Sequence, residues 1–397
     1  MADNNNTKIL NVPNLRFPEF SREWENKTID ELFELRNGYT PSKANHDFWE
    51  GGTIPWFRME DIRQNGGILS DAIQHITPKA IKGSGLFERY SIILATTATI
   101  GEHAMLIADS LANQRFTNFK VRKSLTNSYN PYYLYYYFFK IDRWCLRNVN
   151  AGGLLSVDIP SLKRERLFAP CLKEQNKIAQ LMRHIDERIA TQNKIIEDLK
   201  KLKSAIIHRC YSSQTNMVSL SILLKQCFSR NRNDLDLQVL SVSNKYGFIA
   251  QSDQFEDREV ASDNTSNYKV VENGMFAYNP ARINVGSIAL YEMDGKGIVS
   301  PMYVCFITNS ALLPNYLKHY FASQIFRHEI YKRLEGSVRL CLTFEGLCNI
   351  EIPLPNIEQQ ENIGKYLSTI EYKISLEESV LSQYQIQRKY LLSQMFI

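Results

Sequence analysis

The segment QNKIAQLMRHID, Gln175–Asp186, returns later in the chain as QENIGKYLSTIE, Gln360–Glu371. The offset, 360 minus 175, is 185 residues, which is close to half of the 397 residues. The same offset pairs Pro170 with Pro355. Such a long period indicates two copies of a whole domain with its helix, because solenoid repeats are only about 20–50 residues long. The sequence therefore predicts that the protein acts at two related places.

Both copies of the segment lie in long stretches that favour helix. There is no Pro or Gly from Leu172 to Met217, and Gln359–Ile397 has no Pro and a single Gly. Apolar residues recur there at spacings of three and four, which is typical of a coiled coil. Two such helices can bury each other, so we predict an antiparallel pair whose wide stripe also offers partner proteins a docking surface. The predicted stripe residues are Ile178, Leu181, Ile185, Ile195, Leu199, Leu202, Ile363, Leu367, Ile370, Ile374 and Leu381.

The regions around these helices mix strand-like and helical patterns. Short runs rich in β-branched and aromatic residues, such as Phe116–Val121, are typical of strands, and Pro131 and Pro314 each stand where a helix can begin. The predicted fold class is α+β: two mixed α/β domains separated by a pair of long antiparallel coiled-coil helices, with a pseudo-twofold internal repeat. The predicted boundaries are 1–14 for a disordered lead-in, 15–171 and 216–356 for the domains, and 172–215 and 357–397 for the helices.

The composition is that of a globular protein and narrows the function only a little. Hydrophobic residues make up 44% and charged residues 22%, and the net charge of +5 is weak support for a nucleic-acid partner. The seven cysteines are scattered without a CxxC pair, which favours reduced thiols over a zinc site or a disulfide framework. The polar first residues contain no apolar leader segment, so we predict a cytoplasmic protein with no membrane partner.

Several catalytic motifs are absent from the sequence. It contains no GxxxxGK[ST] loop for ATP, no HExxH zinc motif, no GxSxG elbow and no GxGxxG after a strand. Acidic residues form no paired-carboxylate cluster. We therefore predict that this chain binds rather than catalyses, with no catalytic residue and no metal site.

Loops that mix Gly, Asn, Thr and Arg occur at corresponding places of the two copies, such as Ala95–Gly101 and Asn279–Gly286. Arg and Asn can recognise guanine and adenine edges in a major groove, while Lys and Ser hold phosphates. The alternative is ordinary turn chemistry, which uses the same residue types. The candidate DNA-binding residues are Lys43, Arg58, Thr97, Thr99 and Gly153 in the first copy, and Arg230, Arg232, Asn279, Arg282, Asn284 and Arg339 in the second.

Two of these features have a structural alternative. Arg58 and Arg63 flank Glu60 and Asp61, so local ion pairs are an equally good explanation of both arginines. The aromatic run Tyr132–Phe139 is predicted to be a core helix rather than a platform on which bases stack.

The order of these segments resembles the specificity subunit of type I restriction–modification systems. The opening LRFPEFSREW, Leu15–Trp24, is similar to that family's entry into its first target-recognition domain. Pro170–Ile189 is similar to the family's helical signature, and the second copy keeps Gln360, Ile363 and Gly364. The resemblance covers essentially the whole chain in order.

This resemblance implies a non-catalytic subunit whose two target-recognition domains, 15–171 and 216–356, each recognise one half of a bipartite double-stranded DNA site. It also implies that the helices dock two methyltransferase subunits, and that restriction subunits join the full complex. S-adenosylmethionine, ATP and Mg would then be held by those partner subunits and not by this chain. The alternatives are a stand-alone sequence-specific DNA-binding regulator and a coiled-coil protein scaffold.

Overall fold

The computed structural model describes residues 11–150, 153, 155–212, 216–232, 235–251, 265–336 and 340–397. The chain divides into two compact units. Unit 1 comprises Met1–Thr191 together with Leu381–Ile397, and unit 2 comprises Gln192–Val380. Each unit therefore combines one mixed domain with parts of both predicted long helices.

Unit 1 contains a five-stranded sheet of order β2-β9-β6-β7-β4, a three-stranded sheet of order β5-β3-β8 and the pairs β1-β12 and β10-β11. Its strands are β1 (Glu25–Thr28), β2 (Phe33–Asn37), β3 (Ile54–Phe57), β4 (Ile68–Leu69), β5 (His75–Ile76), β6 (Ile92–Ala95), β7 (His103–Leu106), β8 (Leu111–Ala112), β9 (Phe116–Val121), β10 (Val149–Asn150), β11 (Ser156–Val157) and β12 (Arg166–Ala169). Its α-helices are α1 (Ile29–Leu32), α2 (Met59–Asn65), α3 (Pro131–Arg147), α4 (Ile159–Arg164) and the first part of α5 (Leu172–Ser212).

The aromatic helix α3 fills the core of unit 1. It begins where predicted, with Pro131 in its first turn and the Asn130 side chain accepting hydrogen bonds from the first free N–H groups. The side chains of Tyr133 and Phe138 are fully buried, and Phe33 meets Phe138 edge to face. The prediction that the aromatic run forms core is confirmed.

Unit 2 contains a four-stranded sheet of order β14-β21-β18-β19, a second of order β16-β15-β20-β17 and the pair β13-β22. Its strands are β13 (Met217–Ser219), β14 (Leu224–Cys227), β15 (Val239–Ser243), β16 (Gly247–Ala250), β17 (Lys269–Glu272), β18 (Phe276–Tyr278), β19 (Ile288–Leu290), β20 (Lys296–Val299), β21 (Val304–Thr308) and β22 (Glu351–Pro353). Its further α-helices are α6 (Pro314–Phe321), α7 (Gln324–Tyr331), α8 (Phe344–Cys348) and most of α9 (Ile357–Gln394).

The long helices α5 and α9 pack against each other in antiparallel fashion, as predicted. In unit 1, Asp186 Oδ1 accepts a hydrogen bond from Arg388 Nε at 2.5 Å. In unit 2, Lys203 Nζ donates to Glu371 Oε1 at 2.6 Å. These two ion pairs are equivalent in the 185-residue repeat, with acid and base exchanged between the helices. From one ion pair to the other the residue numbers rise along α5 and fall along α9, so the two helices run in opposite directions.

The buried face of α5 differs from the predicted stripe. Ile178 and Ile185 are buried, but Ile195 and Leu202 are 39% and 48% exposed, so their predicted place in the seam between the helices is wrong. The neighbouring Ile196 is buried instead. At this point of α5 the seam passes through the buried Ile196 and Gln192 rather than through Ile195. Leu367, Ile370 and Ile374 of α9 are buried, whereas Leu181, Leu199, Ile363 and Leu381 are half-buried.

The buried Gln192 shows how the seam accepts polar residues. Its Nε2 donates to the carbonyl of Glu377 at 3.0 Å and to the carboxylate of the same residue. Glu377 is the equivalent of Gln192 in the repeat. A buried amide that finds partners for its hydrogen bonds costs little, so the seam tolerates it.

A buried glutamine joins each mixed domain to its long helix, and we call this set of contacts the joint. In unit 1, Gln175 Oε1 accepts from the N–H of Asn130, and its Nε2 donates to the carbonyls of Ser128 and Pro170. The Glu174 carboxylate beside it binds Arg16 through two hydrogen bonds of 2.7 and 2.8 Å.

In unit 2 the three glutamine hydrogen bonds of the joint are repeated, although Gln359 stands at the position of Glu174 and cannot form its ion pair. Gln360 Oε1 accepts from the N–H of Leu313, and its Nε2 donates to the carbonyls of Ala311 and Pro355. A hydrogen bond from a tyrosine hydroxyl is also repeated, from Tyr133 of α3 in unit 1 and from Tyr316 of α6 in unit 2. Tyr133 donates to the carbonyl of Phe168, and Tyr316 to that of Pro353, both at 2.8 Å.

The predicted lead-in is only partly within the described residues, because 1–10 lie outside them. The described part makes specific contacts that the sequence did not suggest. Asn11 accepts from the N–H of Trp24 at 2.8 Å, and Asn14 Nδ2 donates to Gln394 Oε1 at 3.2 Å. Among the described residues, no helix has the length and apolar character needed to cross a membrane.

Candidate functional site

The predicted loops of unit 1 meet at one edge of its five-stranded sheet. Strands β2 and β6 are both antiparallel to β9, so they end at the edge where β9 begins. A row of polar side chains marks this edge: Thr117 Oγ1 donates to Asn37 Oδ1 at 2.9 Å, and the hydroxyl oxygens of Thr117 and Thr96 are 2.8 Å apart. Lys43 and Thr97 lie in the loops that follow β2 and β6. We call this the loop edge of unit 1.

The third predicted loop, the β10–β11 hairpin, joins the same edge. The N–H of Ala98 donates to the carbonyl of Leu155 at 2.8 Å, and the N–H of Val157 donates to that of Thr96 at 2.9 Å. Gly153 lies between these two strands with φ +122°, and a Cβ added there would meet no atom of the described residues within 4 Å. Glycine adopts this φ readily, which suits a close approach of the backbone to a ligand.

The loop after β6 is held in a conformation that costs energy. Ala98 has φ +67°, a left-handed value that costs a residue with a Cβ about 1–2 kcal/mol. The half-buried Thr97 and Thr99 flank it, and the N–H of Thr99 donates to the carbonyl of Thr97 at 2.9 Å. Backbone strain of this kind concentrates at binding and catalytic sites.

Local ion pairs explain Arg58 but not Arg63. Arg58 Nη2 lies 3.1 Å from Glu60 Oε2, which confirms the local pair. Arg63 instead lies 3.8 Å from Glu102, and Asp61 is buried and accepts backbone hydrogen bonds. The Glu60 side chain is exposed, so this pair is weak and leaves the Arg58 charge available to a stronger anion.

The sequence interpretation missed Arg115 at the same edge. Its N–H donates to Asn113 Oδ1 at 3.0 Å, and its carbonyl accepts from the N–H of Thr96 at 3.0 Å. Arg115 is exposed, and its guanidinium, like the Lys43 amine, has no hydrogen bond or ion pair to any described residue. The available signal was the Asn-Gln-Arg turn, Asn113–Arg115, directly before the predicted strand Phe116–Val121.

Unit 2 repeats this arrangement with different residues. Strands β14 and β18 are both antiparallel to β21, so the loops that follow them lie at one edge, the loop edge of unit 2. A third segment joins it through the N–H of Leu342, which donates to the carbonyl of Pro280 at 3.1 Å. Arg339 lies outside the described residues. The candidates at this edge are Arg230, Arg232, Asn279, Arg282 and Asn284.

The loop after β14 combines a buried asparagine with exposed cations. The buried Asn231 donates from Nδ2 to the carbonyl of Leu235 at 2.9 Å. Arg230 Nη1 donates to Asn267 Oδ1 at 3.2 Å. Arg232 is exposed and has no hydrogen bond or ion pair within the part of the chain that the structure describes.

The loop after β18 limits what Asn279 can recognise. Its Oδ1 accepts from the N–H of Ala281 at 3.1 Å, and its Nδ2 lies 3.6 Å from the sulfur of Met302. Bidentate recognition of adenine uses both ends of the amide, so this turn leaves Asn279 better suited to donating from its NH2 group. Arg282 is exposed with no side-chain partner among the described residues, and Asn284 is half-buried.

The glutamine hydrogen bonds of the joints are the same in both units, whereas the loop edges carry different side chains. The chain is thus a duplicated scaffold that holds two different loop clusters. A family model described as the type I restriction modification DNA specificity domain matches residues 21–201 and 234–383, and the chain belongs to that family.

Known relatives agree with this assignment. The chain is 40% identical over 176 residues to the type I restriction enzyme EcoprrI specificity subunit of Escherichia coli, an alignment that covers 44% of this chain and 41% of the relative. The chain thus spans less than half of that relative. It is 22% identical over 410 residues to the MjaVIII specificity subunit of Methanocaldococcus jannaschii, covering 96% of this chain and 92% of the relative.

The fold itself has a solved counterpart. The crystal structure of the S subunit of a type I restriction–modification system from M. genitalium superimposes with a TM-score of 0.61 and 16% sequence identity. The match covers 97% of this chain and 99% of that chain. The predicted α+β fold with two mixed domains and paired long helices is confirmed.

Proposed function

We propose that this chain is the specificity subunit of a type I restriction–modification complex and binds double-stranded DNA at a bipartite site. The observation that carries the proposal is the contrast between the units, whose joints share the same three glutamine hydrogen bonds while their loop edges differ. Two equivalent scaffolds with different loop edges suit a DNA sequence whose two halves differ. Family membership and the names of the relatives support the same function.

The side chains at the loop edges suit DNA. Arg115 in unit 1 and Arg282 in unit 2 are exposed and free of partners among the described residues. An arginine of this kind can donate two hydrogen bonds to O6 and N7 of guanine, while Lys43 and Arg232 can neutralise phosphates. We therefore assign sequence recognition to the two arginines and general affinity to the other two cations.

Chemistry is proposed to reside in partner subunits. Two methyltransferase subunits would carry S-adenosylmethionine and methylate adenine, and restriction subunits would use ATP and Mg. The long helices would dock the methyltransferases. The exposed Ile195 and Leu202 support this docking, because apolar side chains lined up on an exposed helix face are typical of protein interfaces.

Two other functions make different predictions. A stand-alone regulator would purify without a methyltransferase and still bind DNA. A coiled-coil scaffold would show little salt-sensitive DNA binding, since that sensitivity comes from counterions released from phosphates. Co-purification from the native host, followed by DNA binding at two salt concentrations, separates both from the proposed function.

The decisive experiment is single-molecule sequencing of methylated adenine in host DNA with and without this gene. We expect a split motif with a fixed gap that disappears with the gene. A methylation pattern that is unchanged without the gene would contradict the proposal.

The division between the units can then be tested on that motif. Arg115→Ala is expected to relax one half of the motif and Arg282→Ala the other, each by roughly 10-fold or more, since a bidentate contact is worth about 1–3 kcal/mol. Arg22→Ala, which removes an equal charge away from both loop edges, is the control. Equal relaxation of both halves by either variant would contradict the assignment.

A further inference from the structure

Two cysteines lie directly opposite each other beneath the loop edge of unit 2. Cys227 is the last residue of β14, Cys305 is the second residue of β21, and the two are register partners in the antiparallel pair. Directly opposite residues point to the same face of a sheet. Both indeed pack in one hydrophobic cluster with Ala277, the partner of Cys305 on β18. No other two of the seven cysteines are register partners in the described strands.

The spacing of this pair suits a disulfide. Opposite residues of an antiparallel pair have Cα atoms about 4.5–5.5 Å apart, and disulfides span Cα distances of about 4.4–6.8 Å. Unit 1 shows that side chains meet at this position. There Asn37, the last residue of β2, is paired with Thr117, the second residue of β9, and their side-chain oxygens are 2.9 Å apart.

We propose that Cys227 and Cys305 form a redox-responsive dithiol that closes to an intramolecular disulfide by exchange with a small disulfide oxidant such as glutathione disulfide. The Cys227 thiolate attacks the oxidant, forms a mixed disulfide and releases one glutathione thiolate. The Cys305 thiolate then attacks the Cys227 sulfur and releases the second glutathione. Two protein thiols are oxidised, one glutathione disulfide is reduced to two thiols, and the two protons pass to the released thiolates.

The burial of the two thiols sets the order of these steps. Cys227 is half-buried, whereas the Cys305 side chain is 1% exposed, so only Cys227 can meet the oxidant. Burial raises the pKa of the Cys227 thiol and raises that of Cys305 to about 12. Because the thiolate is the nucleophile, closure is slow at neutral pH and accelerates as the pH rises.

The position of the pair links its redox state to recognition, a consequence that rests on the proposed function. Cys227 is followed at once by Phe228–Arg232, which carries Arg230 and Arg232. Cys305 lies three residues after Met302, which contacts Asn279. A covalent bond between β14 and β21 therefore ties the strand that leads into the Arg230–Arg232 loop to the strand that begins at the same edge, close to Met302.

The test uses the full chain incubated with glutathione disulfide, followed by denaturation and peptide mapping, because the exposed Cys171 can form a glutathione adduct of its own and would confuse a simple thiol count. Peptide mapping should yield a Cys227–Cys305 cross-link that dithiothreitol removes. Cys305→Ser should instead trap a glutathione adduct on Cys227, and Cys227→Ser should leave Cys305 as a free thiol. Cys348→Ser, a half-buried cysteine elsewhere in unit 2, is the matched control and should still form the cross-link.

Each alternative outcome is decisive. The absence of a Cys227–Cys305 cross-link after prolonged exposure at alkaline pH, or a stable glutathione adduct on Cys227 in the unaltered chain, would overturn the dithiol. DNA with one half of the motif altered tests the link to recognition. Oxidation should change affinity only through the half assigned to Arg282. If the cross-link forms and this affinity is unchanged, the link to recognition is overturned. Loss of all motif-specific binding, even when reduced, would instead count against the proposed function.

Discussion

The joint of unit 1 gives the sharpest prediction about how each domain is held. Gln175→Ala removes a side chain that makes three hydrogen bonds: one from the N–H of Asn130 and one to each carbonyl of Ser128 and Pro170. The glutamine is 1% exposed, so water cannot readily replace the lost partners. Each bond contributes about 1 kcal/mol net, and the variant should lose about 3 kcal/mol of unfolding free energy.

Tryptophan fluorescence isolates this effect. All four tryptophans, Trp24, Trp49, Trp56 and Trp144, belong to unit 1. With a urea dependence of about 2 kcal/mol per M, the midpoint of the fluorescence transition should fall by about 1.5 M. Gln180→Ala, an exposed glutamine on the same helix, is the matched control and should move the midpoint by less than about 0.25 M, since surface changes stay within about 0.5 kcal/mol.

The equivalent glutamine of unit 2 completes the experiment. Gln360→Ala should lose a similar free energy, because its three bonds are the same. Its effect should be visible in the far-ultraviolet circular dichroism transition while the tryptophan midpoint moves far less. If Gln175→Ala shifted the midpoint no more than Gln180→Ala, the joint would not be the attachment described here.

Three further predictions concern the helices and their surroundings. Burial lowers the pKa of His319 to about 4 despite Glu371 nearby. Between pH 6.5 and 4 the unfolded chain therefore binds a proton at His319 that the folded chain does not bind. Stability should fall by about 3 kcal/mol between pH 6.5 and 4, and His319→Gln should remove that part of the pH dependence. If urea titrations gave His319→Gln the same dependence of unfolding free energy on pH as the unaltered chain, this prediction would be wrong. Ile196→Ala should destabilise the chain by about 2–4 kcal/mol and Ile195→Ala by less than about 1 kcal/mol, and thermal unfolding can distinguish the two losses. Equal losses would mean that Ile195 contributes to the seam as the sequence predicted. Arg388→Met should destabilise unit 1 by about 1–3 kcal/mol because the partly buried Asp186 loses its cation, and Asp186→Asn in the same background should recover part of the loss.

The long helices were the most predictable part of the fold. Helices α5 and α9 begin at Leu172 and Ile357, each two residues after a proline, and no proline interrupts either helix. Which residues of α5 are buried against α9 was not predictable from the sequence. Ile195 and Ile196 are adjacent and equally apolar, so the sequence alone cannot choose between them. The choice depends on Gln192, whose partner lies 185 residues away and is invisible to local periodicity.

The loop edges were predictable in position but not in chemistry. Loops that follow neighbouring strands had to meet once the strands paired, and they do. The orientation of the Asn279 amide depends on its hydrogen bond to the N–H of Ala281. The pairing of Arg58 with Glu60 rather than Asp61 depends on side-chain geometry. Arg115 precedes a strand, so its meeting with Thr96 depends on the register of β6 and β9.

The joints have a consequence for how such proteins can change. Gln175 and Gln360 bond only to main-chain groups of the domains that they hold, and Tyr133 and Tyr316 likewise donate to carbonyls. Every polypeptide offers those groups, whatever its side chains. A domain of quite different sequence can thus be grafted onto either helix provided that its backbone follows the same path at the attachment point. Under the proposed function, exchange of one domain by recombination would alter one half of the DNA site and leave the other intact.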